Sequence, residues 1–293
     1  MPILLPDPHP HARFAIPAGD VAGQPRVRIG IVNIMPRLEA YEPYLLAPLA
    51  HQRELVEPVF LRLGSHGYQS SDHAHLDRFY RAFDAAVGEA PLDGLIVTGA
   101  PVEELPFEQV HYFRELEDIL GYARRHIATT LGLCWGGMAI GQLLGIGKRG
   151  YAKKLFGVFE DRVLVADHDV LEANPFRCAN SRHSGVVEDD LERAARTGEV
   201  RALSRGEHTG YSMFETTDRR YLAHLGHPEY DAERLAFEWR RDRELGRTDV
   251  DAPAGFDPEA PATVWRGHRN GVFGGFVARA AGAKPIAAGA PAK

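Results

Sequence analysis

The run ATTLGLCWGGMAIGQLL over residues 128–144 restricts this chain more than any other stretch. Its apolar first part, 128–133, predicts a buried strand, and 138–144 predicts a helix. Only a sharp turn fits between them, through Gly132, Leu133, Cys134, Trp135, Gly136 and Gly137. Such a turn lifts its central side chain out of the sheet, while glycines let neighbouring backbone approach closely. The helix that follows directs its first N–H groups and its partial positive charge at that side chain, which favours a thiolate and would stabilise an oxyanion. Cys134 is therefore a candidate nucleophile. The plain alternative is a buried apolar cysteine at a strand end.

The rest of the chain repeats the alternation of strand and helix. Apolar runs at 27–34, 56–63 and 92–98 predict strands, and the third ends on the turn-forming cluster Gly99-Ala100-Pro101. Leucines at helical spacing place a helix over 42–51, weakened by Pro43 and Pro48. An amphipathic pattern places another over 77–87, and 107–125 reads as a third with acid early and base late. Residues 155–207 read as short strands and turns, and strands resume at 210–214 and 221–225. A last helix covers 231–245, capped by Asp231 and stopped by Gly246. The pattern predicts an α/β fold with a mainly parallel sheet flanked by helices. No linker divides the chain, so one domain is expected over 1–280, followed by a disordered Ala-, Gly-, Pro- and Lys-rich tail over 281–293.

A nucleophilic thiol needs a base, and the base needs an orienting group. His227-Pro228-Glu229, just past the strand at 221–225, supplies both, with a proline stiffening the link. A His-x-Glu pair alone is often a surface feature, but together with the turn at Cys134 it favours a Cys134, His227, Glu229 triad. Cys178 falls in an irregular stretch. His9, His11, His111 and His183 show no spacing that signals a metal site, so no metal and no bound cofactor are expected.

Composition narrows the partners. A net charge of −6 across 293 residues is too mild for a polyanion partner, so nucleic acid is not expected. No apolar run is long enough to span a bilayer, and prolines break the N-terminus where a signal peptide would need its apolar core, so the expected location is the cytoplasm. With two cysteines, Cys134 and Cys178, a structural disulfide is a weak reading.

The blocks IGIVNIMP, DGLIVTGAPVEELPFEQVHYF, the Cys134-Trp135 pair, KLFGVFE, NSRH, GHPEYD and VWRGHRN occur in this order along nearly the whole chain. They resemble the homoserine O-acyltransferase family of methionine biosynthesis, built on a class I glutamine-amidotransferase-like fold with flavodoxin-like layers. The resemblance implies ping-pong transfer. Cys134 attacks an acyl-CoA thioester and an amino-acid hydroxyl then takes the acyl group, with His227 as base and Glu229 orienting it. It also implies substrate-binding roles for Lys154, Ser181 and Arg241. Without the family match each would pass for a solvated surface residue, although Arg241 has the planar fork that suits an α-carboxylate. Glu103 resembles the family position tied to acyl-donor specificity, where Glu goes with acetyl-CoA and Gly with succinyl-CoA. A carboxylate there would repel the distal carboxylate of succinate. Glu104 lies next to it, so a slip of one residue changes which side chain faces the pocket. Arg37 and Leu38 stand where the family usually has a lysine pair, and residues 39–41 also differ, which brings serine in as an alternative acceptor to homoserine. The implied partners are small molecules, with a homodimer left open. The same fold hosts Cys-His-Glu glutaminases, and the Gly-x-Cys-x-Gly turn alone does not exclude that chemistry.

Overall fold

The computed structural model describes residues 3–171 and 174–282. Its strands are β1 (Val27–Val32), β2 (Val56–Arg62), β3 (Arg81–Ala82), β4 (Gly94–Val97), β5 (Thr129–Leu133), β6 (Lys148–Val163), β7 (Phe176–Val186), β8 (Val200–Gly206), β9 (Gly210–Thr216) and β10 (Tyr221–His224). The α-helices are α1 (Leu38–Leu49), α2 (His73–Phe79), α3 (Phe83–Glu89), α4 (Phe113–His126), α5 (Trp135–Leu143), α6 (Glu188–Arg196), α7 (Ala232–Glu244) and α8 (Arg266–Gly282). The strands form one sheet in the order β3-β2-β1-β4-β5-β10-β9-β8-β6-β7. From β3 to β10 all neighbours run parallel. From β10 through β9, β8 and β6 to β7 they run antiparallel. This is the expected α/β architecture with a mostly parallel sheet.

Parallel strands need cover on both faces. Ile29, Ile31, Ile96, Leu131 and Leu133 pack on one side with Leu45 of α1 and Val272 and Phe276 of α8. Val32, Leu95 and Val97 pack on the other with Leu116 and Leu120 of α4 and Ile140 of α5. Among the described residues no helix is long and apolar enough to cross a membrane.

Several expectations are corrected. The helix expected over 77–87 is two helices, α2 and α3, because Arg81 and Ala82 extend between them and pair with β2. The helix expected over 107–125 begins later, at Phe113, after a short 3-10 turn at Phe107–Gln109. The stretch 155–207 holds long strands, β6 and β7, and a helix, α6. Cys178 accordingly sits in a regular strand. Pro43 and Pro48 lie inside α1, which starts earlier than expected. Pro43 has no N–H for the Glu39 carbonyl one turn back, and that carbonyl instead lies 3.0 Å from His11 Nε2 of the N-terminal segment. Residues 281 and 282 close α8, and the remainder of the tail expected over 281–293 lies outside the described residues.

Candidate active site

The parallel half of the sheet brings three strand ends together. β4 leads to Gly99, β5 to Cys134, and β10, hydrogen-bonded to β5 with His224 opposite Leu133, leads to His227. The register continues into the site, since the Cys134 N–H donates to the His224 carbonyl at 2.8 Å. Cys134 adopts φ 50° and ψ −112°, a conformation that costs on the order of 1–3 kcal/mol and persists only where its surroundings enforce it. The enforcement is visible in its glycines. A Cβ on Gly132 would lie 2.6 Å from the Gly136 carbonyl oxygen, and one on Gly136 would lie 2.4 Å from that of Val97. The turn is closed so tightly that only glycine fits on either side of Cys134.

Cys134 and His227 meet at Gly99, where an added Cβ would lie 3.5 Å from Cys134 Cβ and 3.6 Å from His227 Cε1, and His227 Nδ1 lies 2.8 Å from Glu229 Oε1. Cys134, His227 and Glu229 are all buried. The turn that carries the imidazole is tied to β7, where Ala179 O accepts from the His227 N–H at 2.8 Å. Tyr230 stacks on the ring with centroids 4.0 Å apart. Burial alone would push the His227 pKa down. The charges of Cys134 and then Glu229, with hydrogen bonds to both, outweigh it and hold the imidazole protonated well above its ordinary range. The arrangement sets a buried thiol near an imidazole that a carboxylate orients. At the start of α5 the first N–H groups have no intrahelical acceptor, which leaves them available to an oxyanion beside the thiol.

Lys154, Ser181 and Arg241 converge on two acids that the sequence reading missed. Lys154 Nζ lies 2.7 Å from Asp242 Oδ2 and 3.8 Å from Glu238 Oε2. Ser181 donates to Glu238 Oε2, and Arg241 Nε donates to Asp242 Oδ1 at 2.8 Å. Burial pushes the Glu238 carboxyl up, but the charges of Lys154, Arg234 and His227 and the Ser181 hydroxyl bring it down to about 2. The signal was present in the sequence, because Arg234, Glu238 and Asp242 recur every fourth residue along one face of α7. Tyr41, whose hydroxyl donates to Glu229 Oε1 at 2.5 Å, left no such signal.

Glu103 turns inward from the loop after β4. It accepts a hydrogen bond from the backbone of His183 and feels the charges of His227 and Lys154. Burial outweighs them and raises its carboxyl to about 6. Leu38 is wholly buried in the core.

Cys178, His224 and His268 also gather in the interior. The Gly226 N–H donates to His224 Nδ1 at 3.0 Å, so the neutral ring carries its proton on Nε2. That proton faces His268 Nε2 at 2.8 Å, where a metal would need a lone pair. The trio is a hydrogen-bonded core cluster.

The sequence model of the family described as Homoserine O-succinyltransferase matches residues 21–281. Among curated relatives, a homoserine O-acetyltransferase of Petrotoga mobilis is 34% identical, covering 94% of this chain and 94% of its own length. Another from Clostridium botulinum (strain Eklund 17B / Type B) is 34% identical over 86% of this chain and 83% of its own. Among solved structures, a glutamine amidotransferase from Methylobacillus flagellatus superposes with a TM-score of 0.54 at 13% identity, covering 87% of this chain and 94% of its own. One from Thermotoga maritima gives 0.50 at 15% identity, covering 87% and 96%. At such low identity these two similarities concern the fold alone.

Proposed function

Because the chain belongs to the homoserine O-succinyltransferase family and is an acyltransferase of homoserine, we propose that it transfers an acetyl group from acetyl-CoA through a thioester on Cys134. The observation that carries this reading is the buried chain of contacts from Cys134 through His227 to Glu229. In the first half-reaction the Cys134 thiolate bonds to the thioester carbonyl carbon, and the bond from that carbon to the CoA sulfur breaks. The departing sulfur takes the His227 proton and leaves as free thiol. In the second half-reaction, neutral His227 accepts the proton of the homoserine hydroxyl as its oxygen bonds to the acyl carbon. The bond to Cys134 then breaks, and the thiolate and imidazolium are restored. Glu229 orients the ring and stabilises its charged form.

The remaining residues divide between donor and acceptor. The inward carboxyl of Glu103 occupies space a succinyl chain would need and repels its charge, which favours acetyl-CoA. Lys154, Ser181 and Arg241 form the acceptor site, where Arg241, paired only at its edge and partly exposed, offers a fork to the α-carboxylate. The product places the enzyme in methionine biosynthesis.

The test is direct. Acetyl-CoA incubated with the protein in the absence of acceptor should leave an acetyl mass increment on the peptide that contains Cys134. Normal turnover with that peptide unmodified would rule out the covalent route.

A further inference from the structure

Two donors reach one oxygen of Glu229. His227 Nδ1 lies 2.8 Å from Oε1 and the Tyr41 hydroxyl 2.5 Å from the same atom. Oε2 has no hydrogen-bond partner among the described residues. The carboxylate is wholly buried, so water does not solvate its charge and these two contacts carry it. Tyr41 comes from α1, far from Glu229 in the chain, and is itself held in place. The Arg234 guanidinium sits 5.6 Å from its ring centroid and 5.4 Å from that of Tyr230, the ring stacked on His227. Arg234 in turn donates to Glu238 at 2.9 Å.

We propose that Tyr41 is a positioning residue that completes Cys134, His227 and Glu229 as a fourth member, fixing which oxygen of Glu229 faces the imidazole and moderating that imidazole's basicity. The inference rests on the acyltransfer reading above. A phenol that donates to the carboxylate withdraws part of its charge from the ring, so the ring gives up its proton at lower pH than it would beside a carboxylate without that donor. Without the hydroxyl, Glu229 is free to rotate and its charge falls wholly on His227. The second half-reaction requires neutral His227 and should feel both effects.

Tyr41→Phe removes one oxygen and keeps the ring. We expect kcat/KM for homoserine to fall on the order of tenfold, the size of one charge-assisted hydrogen bond, with the acid limb of its pH profile moved to higher pH. The other groups that face the pair, namely Cys134, Cys178, Glu103, His224, Tyr230, Arg234 and Glu238, are common to both proteins, so the difference reports Tyr41. In a Glu229→Ala background the same substitution should cost nothing further. Full additivity of the two losses, or an unmoved limb, would overturn the proposal even where melting shows lost stability. Should Tyr41→Phe fold poorly, 3,5-difluorotyrosine at this position, a stronger donor of nearly the same shape, should move the limb to lower pH, and no movement would again overturn it. An absent acetyl adduct on Cys134 of the unaltered protein would instead sink the acyltransfer reading, so the two failures are distinguishable.

Discussion

Glu103 and Glu104, neighbours in the chain, face opposite ways. Glu103 accepts from the His183 backbone and turns its other oxygen into the interior. Glu104 is exposed, with its carboxylate 3.8 Å from Arg247. Lys148 fixes the loop that carries both, donating to the carbonyls of Glu103 and Leu105. Of two adjacent and identical side chains, only the first turns inward.

Glu103→Gly should therefore shift the ratio of kcat/KM from acetyl-CoA towards succinyl-CoA, while Glu104→Gly should leave it unchanged. Equal shifts in the two variants would remove the pocket role from Glu103.

The same carboxyl should make donor choice depend on pH. Burial raises it to about 6, so it is charged above that value and neutral below. If Glu103 faces the donor as proposed, repulsion of the succinyl carboxylate should be present on the alkaline side and lost as the pH falls through about 6. Discrimination against succinyl-CoA, followed from about pH 8 to about pH 5, should narrow across this window. A constant ratio would mean that Glu103 excludes succinate by size alone.

The turn at Cys134 gives a stability prediction. A Cβ on Gly136 would stand 2.4 Å from one backbone oxygen and 2.8 Å from the next, and neither can move without disturbing β4. Gly136→Ala should cost about 1–3 kcal/mol or more by denaturant midpoint and lower turnover with it. Gly267→Ala, in an open position on α8, should be close to neutral. Similar midpoints for the two variants would show that the turn can relax.

Much of this was legible in the sequence, for a physical reason. The strands at 27–32, 94–97 and 129–133 are buried on both faces and read as largely apolar runs, the nucleophile follows the last of them directly, and the base comes shortly after the buried strand 221–224. What stayed hidden depends on contacts distant in sequence. In β7 nearly every residue is buried, so no alternation marks it as one long strand. In α8, glycines mask the helix, although Gly275 is required where its Cβ would meet the Asp169 carbonyl oxygen at 2.4 Å. Tyr41 and Glu229 meet only once α1 packs beside the turn after β10, and Glu42 next to Tyr41 is fixed by His75 at 2.6 Å and His11 at 3.1 Å. Nothing local announces either meeting.

The two cysteines should separate by reactivity. Cys134→Ala should lower turnover by several orders of magnitude, as removal of a triad nucleophile does, and acetyl-CoA should protect this thiol from alkylation. Cys178 is buried among core side chains, and burial holds its thiol well above the ordinary range. Cys178→Ala should keep turnover within a few-fold, and comparable losses in the two variants would require a role for Cys178 in the chemistry.

The pairing of β5 with β10 links reactivity to the order of assembly. The thiol follows β5 and its base follows β10, and these two strands pair although β6 to β9 lie between them in the chain. On the proposed mechanism, a nascent chain in which β10 has not yet paired with β5 would carry the thiol without its base and should not consume thioesters, so chemical competence would arrive with that pairing.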